Sequence, residues 1–336
     1  MIEVQDIIKD FTSVKRQPGL MGSIKTLFSR DYTHKRAVDH MSFTVDQGEV
    51  VGYIGPNGAG KSTTIKMMTG ILVPSSGSIL VDGIIPYEQR QRNAMKIGVV
   101  FGQRTQLWWD LPVRETFSIL KEIYHVSSAD FDRRMSFFNE VLELEPFLAT
   151  PVRSLSLGQR MRADLAASMI HNPKVLYLDE PTIGLDVVVR ENVRKAIKQL
   201  NAEFNTTVIL TTHDLTDIEE LCKRIIIIDN GKKVYDGTLV DIKTRFGSMR
   251  RLELQVKNPF AFSPDSLREK YGLSAEELTA AIVEGQLHIE LDRNKIGIQE
   301  VINEVLSKTE LIDMSLFETK IEDIIKKIYR NEVTMG

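Results

Sequence analysis

Val50-Val51-Gly52-Tyr53-Ile54-Gly55-Pro56-Asn57-Gly58-Ala59-Gly60-Lys61-Ser62 decides how this chain reads. A compact apolar run gives way to a glycine-rich turn, and from Ser62 to Thr69 the spacing becomes helical. Strand, turn and helix with G-x-x-x-x-G-K-[ST] over residues 55–62 make a phosphate-binding arrangement. The glycines let the backbone curl so that several N–H groups face one centre, and the helix start adds positive potential there. Lys61 reaches the β- and γ-phosphates, and the Ser62 hydroxyl can ligate Mg²⁺.

A second stretch completes the chemistry. Val175-Leu176-Tyr177-Leu178-Asp179-Glu180 is a buried strand ending in two acids, which sets carboxylates at the edge of the sheet where the loop opens. Asp179 is expected in the Mg²⁺ shell and Glu180 beside an attacking water. The ligand class is therefore a nucleoside triphosphate. Guanine recognition by Asn-Lys-x-Asp is excluded, because the only Asn-Lys is Asn294-Lys295, followed by Ile296-Gly297 with no acid in place.

Further short apolar runs at Ile97 to Val100, Val175 to Leu178, Val208 to Leu210 and Ile225 to Ile228 alternate with helical patterns. That is the signature of buried parallel strands in an α/β domain. Residues 1–11 and 38–46 alternate apolar and polar residues and predict an antiparallel pair. The chain has 336 residues, enough for two domains. Its 43 Lys and Arg against 46 Asp and Glu leave a formal charge of −3, which argues against a protein held on nucleic acid by bulk positive charge. Cys222 is the only cysteine, so a disulfide framework and a multi-cysteine metal site are excluded. No apolar run approaches the ~18–20 residues that span a bilayer, and the Met-Ile-Glu-Val start lacks a secretory pattern, so a cytosolic chain is expected.

The stretch from Asp236-Gly237 to Gly247-Ser248 reads as a boundary. Beyond it come a strand at 251–256, a helix at 264–272, a hairpin at 279–291 through Gly285, a helix at 298–307, a strand at 310–316 and a helix at 318–330. The order β-α-β-β-α-β predicts a ferredoxin-like sandwich. Residues 12–36 fit neither domain: they hold six Lys or Arg (15, 16, 25, 30, 35 and 36) against the single acid Asp31. Leu20, Met21, Ile24, Leu27 and Phe28 recur there at helical spacing after Pro18-Gly19, which predicts a basic amphipathic helix inserted between the first two strands. It would either pack on the domain surface or meet membrane headgroups.

Between the two phosphate motifs lies Leu155-Ser156-Leu157-Gly158-Gln159-Arg160, leading a helical stretch to Ile170. It resembles the signature motif of ATP-binding cassette proteins, and the rest of that family's set follows in order. Gln103, in Val100-Phe101-Gly102-Gln103, resembles the Q-loop glutamine; Gly184-Leu185-Asp186 resembles the D-loop; His213, in Leu210-Thr211-Thr212-His213-Asp214, resembles the switch histidine. Leu157 departs from the pattern by standing at a usual glycine, while Ser156 and Gly158 retain the hydroxyl and the close backbone approach.

The resemblance implies a P-loop NTPase cassette over residues 1–245, with a RecA-like parallel-sheet core, an antiparallel β subdomain and a helical subdomain at about 104–165. Residues 250–336 would form a small α+β accessory or dimerisation domain. It further implies an ATPase using ATP and Mg²⁺. Catalysis would fall to Glu180, Gln103, His213 and Lys61, and the metal to Ser62, Gln103 and Asp179. Gly55, Asn57, Gly58, Gly60, Lys61, Ser62 and Thr63 would contact the nucleotide from one chain, and Ser156, Gly158, Gln159 and Asp186 from the other. Only one cassette is present, so two copies would sandwich two ATP molecules head to tail. An aromatic ring should stack on adenine. Tyr32, five residues before Ala37, holds the family's usual register, and Phe11 is its competitor.

Two features resemble the subfamily that works with ABC-2 type permeases in exporting drugs, lipids, ions or polysaccharides: the loop with Thr63-Thr64-Ile65-Lys66 and the tail from Ser315-Leu316-Phe317-Glu318. The family resemblance also implies that a coupling helix of the membrane subunit docks on the segment Arg104 to Pro112. That last segment carries Trp108 and Trp109, which would either fill a pocket of the permease or pack internally. The expected place is the cytoplasmic face of the membrane, peripheral through the permease, with no nucleic-acid partner. The alternative is a non-transport cassette ATPase of DNA repair or translation, but no sustained heptads and no second cassette occur in the sequence.

Overall fold

A computed structural model of the chain describes residues 1–14, 32–102 and 104–330. The chain divides into two compact units, one ending at Gly237 and one beginning at Thr238.

In the first unit, β1 (Ile2–Val14) and β2 (Tyr32–Val45) form a long antiparallel ladder, from Ile2 opposite Val45 to Val14 opposite Tyr32. The strands thus reach further than 1–11 and 38–46. Residues 12–14 and 32–36, expected in the insertion, belong to the ladder, while residues 15–31 lie outside the described residues. The extension is legible only in three dimensions, because Thr12, Thr33, His34, Lys35 and Arg36 give a solvent-facing ladder without apolar alternation. β3 (Val50–Ile54) leads into α1 (Lys61–Met68), and β4 (Ser76–Val81) adds to the other side of β1.

After α2 (Arg90–Ala94) come β5 (Ile97–Phe101), α3 (Val113–Ile123), α4 (Ser128–Leu142) and α5 (Leu157–Met169). Then follow β6 (Val175–Asp179), α6 (Val187–Phe204), β7 (Thr207–Thr211), α7 (Leu215–Leu221), β8 (Arg224–Asp229) and β9 (Lys232–Thr238). The second sheet has the order β5-β6-β7-β3-β8-β9, and the neighbouring strands from β5 to β8 run parallel. The central strands β3, β6, β7 and β8 are largely apolar because both faces are covered, whereas the edge strand β9 is polar and partly exposed. Val51, Tyr53, Tyr177, Ile209 and Ile226 are buried in a core shared with the antiparallel sheet through Ile2, Met41 and Val45. The order brings the carboxyl ends of β3, β5, β6 and β7 to one edge.

The second unit begins with α8 (Leu239–Phe246), within the stretch from Asp236 to Ser248 and ahead of residue 245, where the cassette was expected to end. Leu239 and Ile242 are its buried face, and α8 packs on α11 (Ile321–Tyr329), which explains why it leaves the cassette. Between them lie β10 (Met249–Val256), α9 (Asp265–Tyr271), β11 (Leu278–Val283), β12 (Gln286–Asp292), α10 (Ile298–Lys308) and β13 (Leu311–Glu318). The sheet order is β11-β12-β10-β13 with every pair antiparallel. Leu252, Leu254, Leu287, Ile289 and Leu291 alternate into a core closed by Leu267, Val301 and Val305 from the helices. Among the described residues no helix is long and apolar enough to cross a membrane.

Candidate functional site

The turn after β3 wraps around the start of α1. Gly60 caps that helix at φ +107°, a left-handed region that favours glycine, and a Cβ there would sit 2.5 Å from the Ala37 carbonyl oxygen. No side chain caps α1, so its first N–H groups remain available to a ligand. Lys61 Nζ donates to the Gly55 carbonyl at 2.5 Å and to the Pro56 carbonyl at 3.2 Å. Burial lowers the Lys61 pKa, and the nearby Glu180 and Asp179 carboxylates oppose that shift. The ammonium thus lies folded onto its own loop, pointing where an anion would draw it.

At the end of β6, Asp179 Oδ1 accepts from Thr211 Oγ1 at 2.5 Å. Glu180 leaves the strand at φ +58°, a costly conformation for a non-glycine residue, fixed by its N–H donating to the Thr211 carbonyl at 2.9 Å. Its carboxylate Oε1 lies 3.0 Å from His213 Nε2. Burial raises the Glu180 pKa, while His213 and Lys61 pull it down and Asp179 pushes it up. A carboxylate held in this way is a poised proton acceptor.

These groups line one cleft of about 900 Å³, together with Asn57, Gly58, Ser62 and Thr63. Phe11, Lys35, Lys66 and Arg104 also line it. The last three were absent from the expected site, and only their positive charge could have signalled them. Gln103 lies outside the described residues. So does the side chain of Tyr32, whose backbone pairs with Val14, three ladder steps beyond the Phe11–Lys35 pair.

The signature residues do not line this cleft. Ser156 caps α5, accepting from the Gln159 N–H at 3.2 Å while Gln159 Oε1 accepts from the Ser156 N–H at 2.9 Å. The S-x-x-Q spacing signals such a reciprocal cap. Asp186 likewise caps α6, accepting from the Val189 N–H at 3.0 Å. A Cβ on Gly158 would meet Val189 Cγ1 at 2.6 Å, so this glycine is required within the chain as well. Leu157, the departure from the family pattern, rests against Gly184, where an added Cβ would lie 3.1 Å from Leu157 Cδ2.

Behind the signature helix, Asp164 is buried and accepts from Thr105 Oγ1 at 2.9 Å and from the Gln106 N–H at 3.1 Å. Burial pushes its carboxyl up to about 7. The same segment presents Trp108 and Trp109 at 40% and 50% exposure, so neither is packed away, with the Arg160 guanidinium 5.9 Å from the Trp109 ring centre.

The geometry can be set beside known proteins. The family model described as ABC transporter matches residues 38–183. The ABC transporter ATP-binding protein NatA of Bacillus subtilis (strain 168) is 32% identical over 204 residues, 61% of this chain and 82% of its own length. The chain belongs to the ABC transporter ATP-binding family. Membership brings the cassette fold and the ATPase class with it. The linearmycin resistance ATP-binding protein LnrL of the same organism is 29% identical over 294 residues, 87% of this chain and 91% of that protein. Among solved structures, a dimeric post-hydrolysis state of the cassette MJ0796 bound to ADP and Pi matches with a TM-score of 0.58 at 26% identity, covering 71% of this chain and 99% of that one.

Proposed function

We propose that two copies of this ABC ATPase close head to tail around two Mg-ATP and thereby drive an ABC-2 type export permease. One observation supports the reading: the cleft is lined by Lys61, Asp179, Glu180 and His213 but by none of the signature residues. Ser156 and Asp186 are exposed helix caps outside it, and Val187 and Val188 beside Asp186 are 76% and 68% exposed. Paired exposed apolar side chains beside these helix caps are what a second copy would cover.

In the closed pair, the loop N–H groups and Lys61 hold the phosphates of one nucleotide, and Ser156 and Gly158 of the second copy meet its γ-phosphate. A Ser62 hydroxyl and an Asp179 carboxylate are hard oxygen donors that suit Mg²⁺, which when bound neutralises charge on the phosphates. Gln103 would join them in holding the ion, with the nucleotide phosphates. Glu180 accepts a proton from the attacking water, His213 contacts the γ-phosphate, and Gln103 senses occupancy. Phe11, which lines the cleft beside Lys35, is the described aromatic side chain we assign to adenine stacking, the role for which it competes with Tyr32.

Hydrolysis removes the γ-phosphate bridge and reopens the pair, a ligand-driven two-state switch. Trp108 and Trp109 carry the motion to the permease at the inner membrane surface. Complementation tests the sandwich. Lys61→Ala disables one half-site, and Ser156→Asp keeps the α5 cap while placing a negative charge against phosphate. Neither variant alone should hydrolyse ATP, but a mixture should recover activity because each mixed pair retains one intact site. A mixture as inactive as its parts would contradict the reading. Co-purification with a multi-span membrane protein tests the transport role, and its failure with a functional pair would favour a non-transport ATPase.

A further inference from the structure

Glu180 and His213 sit on two separate turns, leaving β6 and β7, and their 3.0 Å contact requires both turns to be held. Behind them lies Asp217 on α7, with no solvent exposure at all. Its Oδ2 accepts from Thr182 Oγ1 at 2.5 Å and from Thr212 Oγ1 at 2.9 Å, and its Oδ1 accepts from Arg194 Nη1 at 3.0 Å. Thr182 lies two residues beyond Glu180, Thr212 immediately precedes His213, and Arg194 projects from α6. One carboxylate therefore ties the Glu180 turn, the His213 turn and α6 together.

A second set of bonds runs beside it. Arg190 on α6 pairs with Asp214 and donates through Nη2 to the Leu185 carbonyl at 3.1 Å. The Asp214 N–H donates to Thr212 Oγ1 at 3.0 Å, so that hydroxyl both gives and receives. Both helices thus reach the same two turns. Well-packed apolar side chains would serve plain stability at least as well as a buried ion pair. What hydrogen bonds add is direction, because each fixes an angle as well as a distance. None of Thr182, Thr212, Asp217 or Arg194 lines the nucleotide cleft.

We propose that Asp217, with Thr182, Thr212 and Arg194, is a positioning clasp for ATP hydrolysis that sets the Glu180 carboxylate and the His213 ring in mutual register. The inference rests on the reading of Glu180 and His213 as the hydrolytic pair. The clasp touches neither nucleotide nor water. It acts by holding Glu180 in its left-handed backbone conformation while the switch turn is pinned from the other side.

Thr182→Val and Thr212→Val test it, since each removes a hydroxyl donor at nearly constant volume and leaves the Arg194–Asp217 pair intact. Each should lower kcat at least tenfold while KM for ATP and equilibrium nucleotide binding stay within about twofold, and the double variant should lower kcat further. Thr182→Ser and Thr212→Ser, which restore the donors, should return kcat to within about threefold of the parent. A parental kcat in both valine variants, a loss expressed in KM alone, or a loss that serine fails to recover would overturn the clasp. If the double variant fails to fold, the single variants decide. Glu180→Gln assayed alongside separates the two readings. An active Glu180→Gln protein overturns the hydrolytic role and the clasp with it, whereas an inactive one with fully active valine variants overturns the clasp alone.

Discussion

The two phosphate-facing regions of the cassette are built in opposite ways. The Lys61 loop is concave and partly buried, with a helix start, an ammonium and two carboxylates converging on one cleft. The Ser156–Gly158 turn is a surface feature whose own polar groups are already satisfied by a reciprocal cap. The first is a binding site in its own right. In the proposed sandwich the second gains its function only against another molecule, and the difference between them is the reason for proposing a second copy.

That contrast can be broken from either side. The largest effect is expected from Glu180→Gln, which removes the proton acceptor and should reduce steady-state ATP turnover by about 10²–10⁴-fold. Turnover near the parental rate would remove Glu180 from the cleft's chemistry. Lys61→Ala removes a charge-assisted contact of about 1.5–3 kcal/mol and should weaken ATP binding roughly ten- to hundredfold in calorimetry. Unchanged affinity would deny the concave side its special character.

A smaller effect, confined to the partner, is expected from Trp108→Ala combined with Trp109→Ala. Exposed aromatic anchors at an interface are each worth about 2 kcal/mol. The double variant should therefore lose its permease in detergent while binding ATP normally, and an intact complex would sink that assignment. The smallest functional effect is expected from Asp164→Asn, which leaves turnover in place but alters stability on the signature side. Burial has raised the Asp164 pKa from 3.8 to about 7, so its favourable contribution is full below 3.8 and is lost as pH rises through about 7. The variant should flatten the fall in stability between about pH 4 and pH 7, by on the order of 1–3 kcal/mol, read from denaturant unfolding. Identical pH profiles would show that Asp164 is not the titrating group.

The same contrast governs what was readable in the sequence. β3, β6, β7 and β8 announce themselves because a strand covered on both faces is a continuous apolar run, as in Ile225 to Ile228. The second unit's strands are equally visible through the alternation of Leu252, Leu254 and Val256. Ser76-Gly77-Ser78, opening β4, carries no such signal, and the polar ends of β1 and β2 read as part of a basic linker. α8 holds one turn's worth of buried side chains and reads as a boundary.

Motifs bring Lys61, Asp179, Glu180 and His213 to one cleft from three distant stretches of chain, because each sits at or just beyond the carboxyl end of a parallel strand or at the start of the helix that follows it. The Asp217 carboxylate was not legible in that way. Thr182 and Asp217 are 35 residues apart, and neither departs from ordinary loop and helix composition. Counting back from Ala37 favours Tyr32 as the stacking ring, whose side chain lies outside the described residues, while the extended ladder sets its competitor Phe11 opposite Lys35 at the cleft.

The most direct test of the sandwich is the molecular mass of the Glu180→Gln protein with and without Mg-ATP, by light scattering across a range of protein concentrations. A monomer that becomes a dimer only with the nucleotide, and reverts when Ser156→Asp is added to the same chain, is the predicted result. A protein that stays monomeric when saturated with Mg-ATP, alone and with its permease, would contradict the account.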